Sequence, residues 1–233
     1  MKTLGLLGGM SWESTVTYYQ VINRRIAAEL GGLHSARLVL YSLDFGELDI
    51  MQREDRWDDM AAQLCDAANA LERAGAELLV ICTNTMHKAA PQIEASSGIP
   101  LLHITDPTGE AIVAAGYKKV GLLGTRFTME QDFYLGRLEG FGIDVLVPGE
   151  SSRALVHDII FSELCLGIVS ESSRASMAGV VAELVEAGAE AVVLGCTEVG
   201  LLLRPSDVSV PLFDTTVLHA EAAALASLGA RPL

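Results

Sequence analysis

One pattern occurs twice in this chain, which constrains it to fold as two like units. Lys2-Thr3-Leu4-Gly5-Leu6-Leu7-Gly8-Gly9 returns as Lys118-Lys119-Val120-Gly121-Leu122-Leu123-Gly124-Thr125. Arg73-Ala74-Gly75-Ala76-Glu77 returns as Glu186-Ala187-Gly188-Ala189-Glu190, and Ile99-Pro100-Leu101-Leu102 as Val210-Pro211-Leu212-Phe213. The offsets are 116, 113 and 111 residues, so the matches keep their order and differ only by small deletions of the kind loops absorb. Eight residues beyond Gly75 stands Thr83, and eight beyond Gly188 stands Cys196. The repeat therefore sets a threonine against a cysteine.

Short apolar runs alternate with amphipathic stretches, the signature of βαβ units and a parallel sheet. The pattern predicts strands at Leu4–Leu7, Arg37–Ser42, Leu78–Ile81, Leu101–His103, Val120–Leu123, Asp144–Val147, Ala191–Leu194 and Pro211–Phe213. It predicts helices over Ser14–Leu30, Trp57–Ala74, Met86–Ser96, Thr108–Ala115, Thr128–Gly140, Ser170–Ala187 and Thr215–Leu228, several opening on Ser or Thr caps. Gly75 and Gly188 close two of them. The expected fold is α/β: two pseudo-symmetric three-layer lobes with mainly parallel sheets. Residues 1–107 plus 213–233 form the first lobe and 108–212 the second, because the last helix can pack back on the first. No linker rich in Pro, Ser or Gly separates them, which predicts two intimate lobes with the chain crossing between them.

The 233 residues are 50% hydrophobic, enough for two modest cores. A formal charge of −14 repels phosphate backbones and anionic bilayers, which argues against nucleic acid as a partner. No apolar run approaches the roughly 18 residues of a membrane span, and Met1–Met10 reads as a strand and glycine turn rather than a signal peptide, so a cytoplasmic protein is expected. Cys65, Cys82, Cys165 and Cys196 are scattered with no Cys-x-x-Cys spacing, suggesting neither disulfides nor zinc.

In open parallel sheets, ligands bind beyond the carboxyl ends of the strands. Gly8-Gly9-Met10-Ser11, Thr83-Asn84-Thr85, Thr125 and Cys196-Thr197-Glu198 all follow predicted strands, and two facing lobes would gather them around one cleft. Backbone N–H groups and small hydroxyls at helix starts suit a carboxylate, so an amino or hydroxy acid fits better than a nucleotide. Gly5-Leu6-Leu7-Gly8-Gly9 lacks dinucleotide spacing, and no Walker pattern occurs. A helix N-terminus beside Cys196 is expected to lower its pKa, with Glu198 orienting it or exchanging its proton. Cys82 stands one residue before the position equivalent to Cys196; in an extended strand that shift turns it to the opposite face, so it reads as core.

Gly8-Gly9-Met10-Ser11-Trp12-Glu13-Ser14-Thr15, Thr83-Asn84-Thr85-Met86-His87 and Gly195-Cys196-Thr197-Glu198 resemble the aspartate/glutamate racemase family over nearly the whole chain. Gly31 to Ala36 and Gly124 to Asp132 look most like its enterobacterial-type branch of L-aspartate/glutamate-specific or broad-specificity amino-acid racemases. The resemblance implies two pseudo-symmetric lobes with the site between them, no cofactor, a homodimer, and racemisation by two facing thiols. The family usually reads Cys-Asn-Thr where this chain reads Thr83-Asn84-Thr85. Many relatives carry a lysine where this chain has Cys165; Gln52 or Arg53 would then meet the substrate side chain, which makes neutral amino acids plausible substrates.

A racemase removes the α-proton on one face and returns one on the other, so two acid/base groups must flank Cα. The family likeness casts Thr83 and Cys196 as that pair, and Met10, Ser11, Gln52, Asn84, Thr85, Thr125, Thr197 and Glu198 as the substrate-binding set. With no pyridoxal lysine suggested, hydrogen bonds from backbone amides, Asn84, Thr85 and Thr197 to the substrate carboxylate must stabilise the carbanion. Cys196 is expected to abstract efficiently while Thr83 mainly reprotonates, directly or through water. His87 would orient the Thr83 loop; His34, His103, His157 and His219 read as structural or surface, and Met10 and Trp12 either cover the cleft or pack. Two other readings stay open. One is an arylmalonate-decarboxylase-like or hydantoin-racemase-like enzyme, and the other a non-catalytic small-acid-binding protein.

Overall fold

A computed structural model describes residues 1–231. The chain runs β1 (Leu4–Gly8), α1 (Trp12–Leu30), β2 (Leu38–Ser42), α2 (Phe45–Arg53), α3 (Trp57–Arg73), β3 (Leu78–Ile81), a 3₁₀ turn (Thr85–Ala89), α4 (Ala90–Ser96) and β4 (Leu101–Leu102). It continues through α5 (Thr105–Ala114), β5 (Lys119–Gly124), α6 (Arg126–Glu130), α7 (Asp132–Glu139), β6 (Asp144–Leu146), α8 (Glu150–Ser162) and a 3₁₀ turn (Leu164–Leu166). It ends with α9 (Glu171–Glu186), β7 (Ala191–Gly195), α10 (Val199–Leu202), a 3₁₀ turn (Pro205–Asp207), β8 (Leu212–Asp214) and α11 (Thr215–Ser227). Among the described residues no helix is long and apolar enough to cross a membrane.

Two four-stranded sheets form, ordered β2-β1-β3-β4 and β6-β5-β7-β8, with every strand pair parallel. The order is the same in both, as the repeat requires. One compact unit comprises Met1–His103 and the chain from His219 onward; the other is Ile104–Leu218. The expected borders at 107/108 and 212/213 shift because β8 pairs with β7, keeping Leu212–Asp214 and the start of α11 with the second sheet.

The repeat extends to individual hydrogen bonds. Glu77 N–H donates to Thr3 O at 2.8 Å while its Oε2 accepts from Thr3 N–H at 2.8 Å. In the second unit Glu190 N–H donates to Lys119 O at 2.8 Å, and its Oε2 accepts from Lys118 and Lys119 N–H at 2.8 and 3.0 Å. These amides hold the Glu190 carboxyl below its ordinary pKa. Gly75 and Gly188 end α3 and α9 at φ +93° and +98°, a region L side chains rarely adopt. A Cβ on Gly5 would stand 2.8 Å from Ala76 Cβ, and one on its counterpart Gly121 2.8 Å from Leu184 Cδ1, so both central strands run tight against a neighbour.

Strand parity sorts the first core. Leu7, Leu79 and Ile81 pack with Met60, Leu64, Leu71 and Ile93 from α3 and α4, whereas Leu4, Leu6, Leu78, Val80 and Cys82 pack with Tyr18, Ile22, Ile26 and the alanines of α11. The sheet is thus covered on both faces, the three-layer arrangement anticipated. In the second unit one continuous cluster joins Val120, Leu122, Val192 and Leu194 to Tyr134, Val156, Ile160, Met177 and Val181.

Two expected helices are interrupted. Met86–Ser96 opens as a 3₁₀ turn and becomes α-helical only at Ala90, because Pro91 sits in the first turn of α4 and has no N–H to continue the ladder. Thr128–Gly140 divides into α6 and α7 at Gln131, whose φ of −109° and ψ of 145° are extended. Helices α2 and α8 fill segments for which no helix bounds were predicted.

Candidate active site

The first half-site lies at the carboxyl edge of the β2-β1-β3-β4 sheet. After β1 the chain turns at Gly9, where φ is +87° and a Cβ would fall 2.2 Å from Leu43 O, so only glycine fits. Gly9 N–H donates to Thr15 Oγ1 at 2.9 Å, and the Thr15 and Ser14 hydroxyls donate to Ser11 O at 2.9 and 3.1 Å. These bonds fix the Met10-Ser11 turn, and both residues are buried. Trp12 beside them is 65% exposed, so it does not pack.

Thr83, Asn84 and Thr85 follow the adjacent strand β3 and are buried, Thr83 at 8% exposure. Asn84, rather than Thr83, holds the N-cap position of the 3₁₀ turn. His87 Nδ1–H donates to Thr83 O at 2.8 Å, bearing out its expected role as the residue that orients this loop. Behind it lies a network that sequence reading split into separate histidines. The His87 and His103 rings are 4.4 Å apart and His87 and His219 5.8 Å; Tyr18 O–H donates to His219 Nδ1 at 2.8 Å, and His219 Nε2–H donates to Leu102 O at 2.9 Å. Burial, with His103 and His219 close by, holds His87 well below its ordinary pKa, so it is neutral. Gln52, in the last turn of α2, sends Nε2 toward Met86 Sδ at 4.0 Å; its buried Oε1 makes no hydrogen bond among the described residues. Arg53 is 73% exposed and paired with Asp49 at 2.7 Å, so of the two expected side-chain contacts only Gln52 is buried beside this loop.

The second half-site occupies the equivalent edge of the other sheet. Thr125 follows β5, is buried, and caps α6 by accepting from Thr128 N–H at 3.3 Å. Cys196 follows β7, which pairs with β5 out to Gly124 and Gly195. Its Sγ–H donates to Glu198 Oε2 at 3.0 Å, and the same oxygen accepts from Thr197 Oγ1 at 2.7 Å. The Thr197 hydroxyl hydrogen is therefore committed to Glu198. All three residues are buried, Cys196 at 6% exposure.

The Cys196 thiol stands well above its ordinary pKa, first because it is buried and next because the Glu198 carboxylate and Cys165 lie close. This overturns the expectation that a helix N-terminus would lower it. Helix α10 is only Val199–Leu202, too short for a dipole that outweighs burial beside a carboxylate. Cys82 is wholly buried, and burial pushes its thiol up as well, as suits a core residue. Tyr134 on α7, not among the residues singled out from the sequence, is also fully buried, and burial pushes its phenol up.

Strand register fixes which residues correspond. Leu7 pairs with Ile81 in the first sheet and Leu123 with Leu194 in the second; two residues on from Ile81 is Thr83, and two on from Leu194 is Cys196. The geometry defines a class: two like α/β units, each carrying buried hydroxyl or thiol side chains beyond its central strands. The chain belongs to the Asp/Glu/hydantoin racemase family, which it matches over residues 7–223. It is 22% identical to the broad-specificity amino-acid racemase RacX of Bacillus subtilis (strain 168), across 94% of this chain and 95% of that protein. A Yersinia pestis crystal structure, solved as a candidate Asp/Glu racemase, superposes with TM-score 0.90 at 53% identity, covering 98% of this chain and 100% of that one. An aspartate racemase homologue from Pyrococcus horikoshii OT3 superposes with TM-score 0.82 at 34% identity, covering 98% and 100%.

Proposed function

We propose that this protein is a cofactor-independent amino-acid racemase in which Cys196 and Thr83 act on Cα of the substrate from opposite faces. The observation that carries the reading is the register equivalence of Thr83 and Cys196 within two like sheets. A neutral Cys196 thiol is a proton donor as it stands. To act as base it passes its proton to Glu198 Oε2; the thiolate then takes the α-proton and becomes a thiol again, while a proton returns to the other face from the Thr83 side, directly or through water. Backbone amides with Asn84 and Thr85 bind the substrate carboxylate and spread the carbanion charge. Thr197 contributes through its backbone, since its hydroxyl serves Glu198. Thr125 and Ser11 offer the substrate further polar contacts, and Met10 an apolar one.

The substrate range is L-aspartate and L-glutamate or a broader set that includes homoserine. Gln52 favours the neutral end, because its unpaired amide oxygen would face a side-chain carboxylate badly and a hydroxyl well. A homodimer working in the cytoplasm belongs to the same reading, and light scattering tests the dimer.

Deuterium exchange at Cα, with loss of optical activity, tests the function on both enantiomers of aspartate, glutamate and homoserine. Exchange that vanishes in Cys196→Ala supports the proposal, and no exchange with any amino acid overturns it. A second reading is favoured by the neutral Cys196 thiol: an arylmalonate-decarboxylase-like enzyme needs one proton donor, not two. Release of carbon dioxide from an arylmalonate, without amino-acid exchange, would select it.

A further inference from the structure

Helix α1 is apolar on two sides. Tyr18, Ile22 and Ile26 are buried in the core of the first unit. Away from that core, Trp12, Val16 and Tyr19 are 65, 45 and 55% exposed, at the spacing that holds side chains on one stripe, and Asn23 continues it. Leu40 on the edge strand β2 widens the stripe. It is 46% exposed, and a Cβ on Gly8 would meet both Leu40 Cδ1 at 2.8 Å and Thr15 Cγ2 at 2.5 Å, so Leu40 lies alongside α1. The segment entering β2 is tied to the same flank, because Ala36 N–H donates to Asn23 Oδ1 at 2.9 Å. Exposed apolar side chains scattered singly need no explanation, whereas a contiguous patch marks a contact surface.

Two charged side chains flank this stripe, and neither forms an ion pair among the described residues. Glu13 Oε2 is buried there without a hydrogen bond, and the Arg24 guanidinium meets only Gln20 Oε1 of its own helix, at 3.4 Å. Glu13 and Arg24 stand eleven residues apart, three turns of helix and about 16 Å along its axis, so they lie on the same side. A second α1 laid antiparallel, with the twofold axis midway between these positions, sets each Glu13 opposite the Arg24 of the other copy. The stripe is thus complementary to itself, as a twofold contact requires. Each copy carries −14, so two copies meet best over a face poor in charge, and Trp12, Val16, Tyr19, Gln20 and Asn23 bring none. We infer that this face is the interface of a twofold dimer of the chain, with Val16 and Tyr19 at its centre and a Glu13–Arg24 pair at each end. The inference rests on the homodimer reading above.

The experiment is the mass of the full chain through a dilution series, by sedimentation, for wild type, Glu13→Lys, Arg24→Glu and an equimolar mixture of the two variants. Wild type is expected to be dimeric. Glu13→Lys sets lysine against arginine, and Arg24→Glu sets glutamate against glutamate, twice each by symmetry, so either change should raise the Kd of the dimer about a hundredfold. Mixed, the two variants carry opposite charges at both ends of the contact, and the dimer mass should return. Val16→Asp covers the case in which Glu13→Lys folds poorly: it should be monomeric with an unchanged circular-dichroism spectrum. Variants that all dimerise like wild type, or a mixture that does not recover, overturn the inference and leave the homodimer reading in place. A wild type that is monomeric throughout overturns both together, and amino-acid exchange by that monomer would show the racemase reading standing without them.

Discussion

Glu198→Gln separates the two things the carboxylate does to Cys196. At 3.0 Å from Sγ, Oε2 accepts the thiol hydrogen, and by its charge it raises the thiol pKa. Glutamine preserves the shape and one acceptor oxygen, which must now choose between Cys196 and the Thr197 hydroxyl that Oε2 serves at 2.7 Å. Losing the charge removes a cause that raises the thiol, so thiolate becomes more accessible and alkylation of Cys196 at pH 8 speeds up several-fold. Losing the proton acceptor removes a general base, which costs about 10²–10⁴ in rate, so α-proton exchange falls by at least a hundredfold. The thiol thus becomes more reactive as the enzyme becomes less active. Both rates are read on one preparation whose fold is checked by circular dichroism. Exchange within tenfold of wild type would refute Glu198 as proton acceptor. Alkylation that slows together with exchange would refute the electrostatic account.

Three further outcomes are expected. His87 is neutral in the folded state and takes a proton near pH 6.5 when unfolded, so its contribution is complete above that pH and lost as pH falls below it. The urea midpoint should drop between pH 7.5 and 5.5, and less in His87→Gln; equal slopes would disprove it. Gly5→Ala and Gly121→Ala should each cost about 1–3 kcal/mol through overpacking, and the double variant should show their sum, because the sites lie in separate units; denaturant titration would expose a shortfall. Gln52→Arg should lower the KM for aspartate about tenfold relative to homoserine, roughly 1.4 kcal/mol of added attraction, and an unchanged ratio would remove Gln52 from the side-chain pocket.

The strands and the pairing of Thr83 with Cys196 are legible in the sequence because buried parallel strands read as bare apolar runs, and because a repeat carries register with it. Leu78–Ile81 and Ala191–Gly195 need no partner information to be seen. Helix α2 is harder to see: Asp44 caps it through Gly46 N–H, but nine residues span too few turns for an apolar pattern to repeat. Residues far apart in sequence escape altogether. Tyr134 reads as one more core aromatic, and the link from Tyr18 to His219 spans the chain. The state of Cys196 is hidden in the sequence for a like reason: Gly195-Cys196-Thr197-Glu198 advertises a helix start, whereas burial, a tertiary property, is the first cause that sets the thiol, with the Glu198 carboxylate next.

The first unit is discontinuous, and that bears on the order in which the molecule can be completed. Its opening strands and α1 leave the ribosome before Ile104–Leu218, yet the alanines of α11 that cover Leu4, Leu6 and Val80, and the His219 ring that joins the Tyr18 hydroxyl to the Leu102 carbonyl, are synthesised after that segment. The intervening segment, Ile104–Leu218, has its whole sheet and core in hand before then. The unit that begins first therefore finishes second, so Thr83, whose carbonyl rests on the same histidine cluster, is set only after His219 has been added.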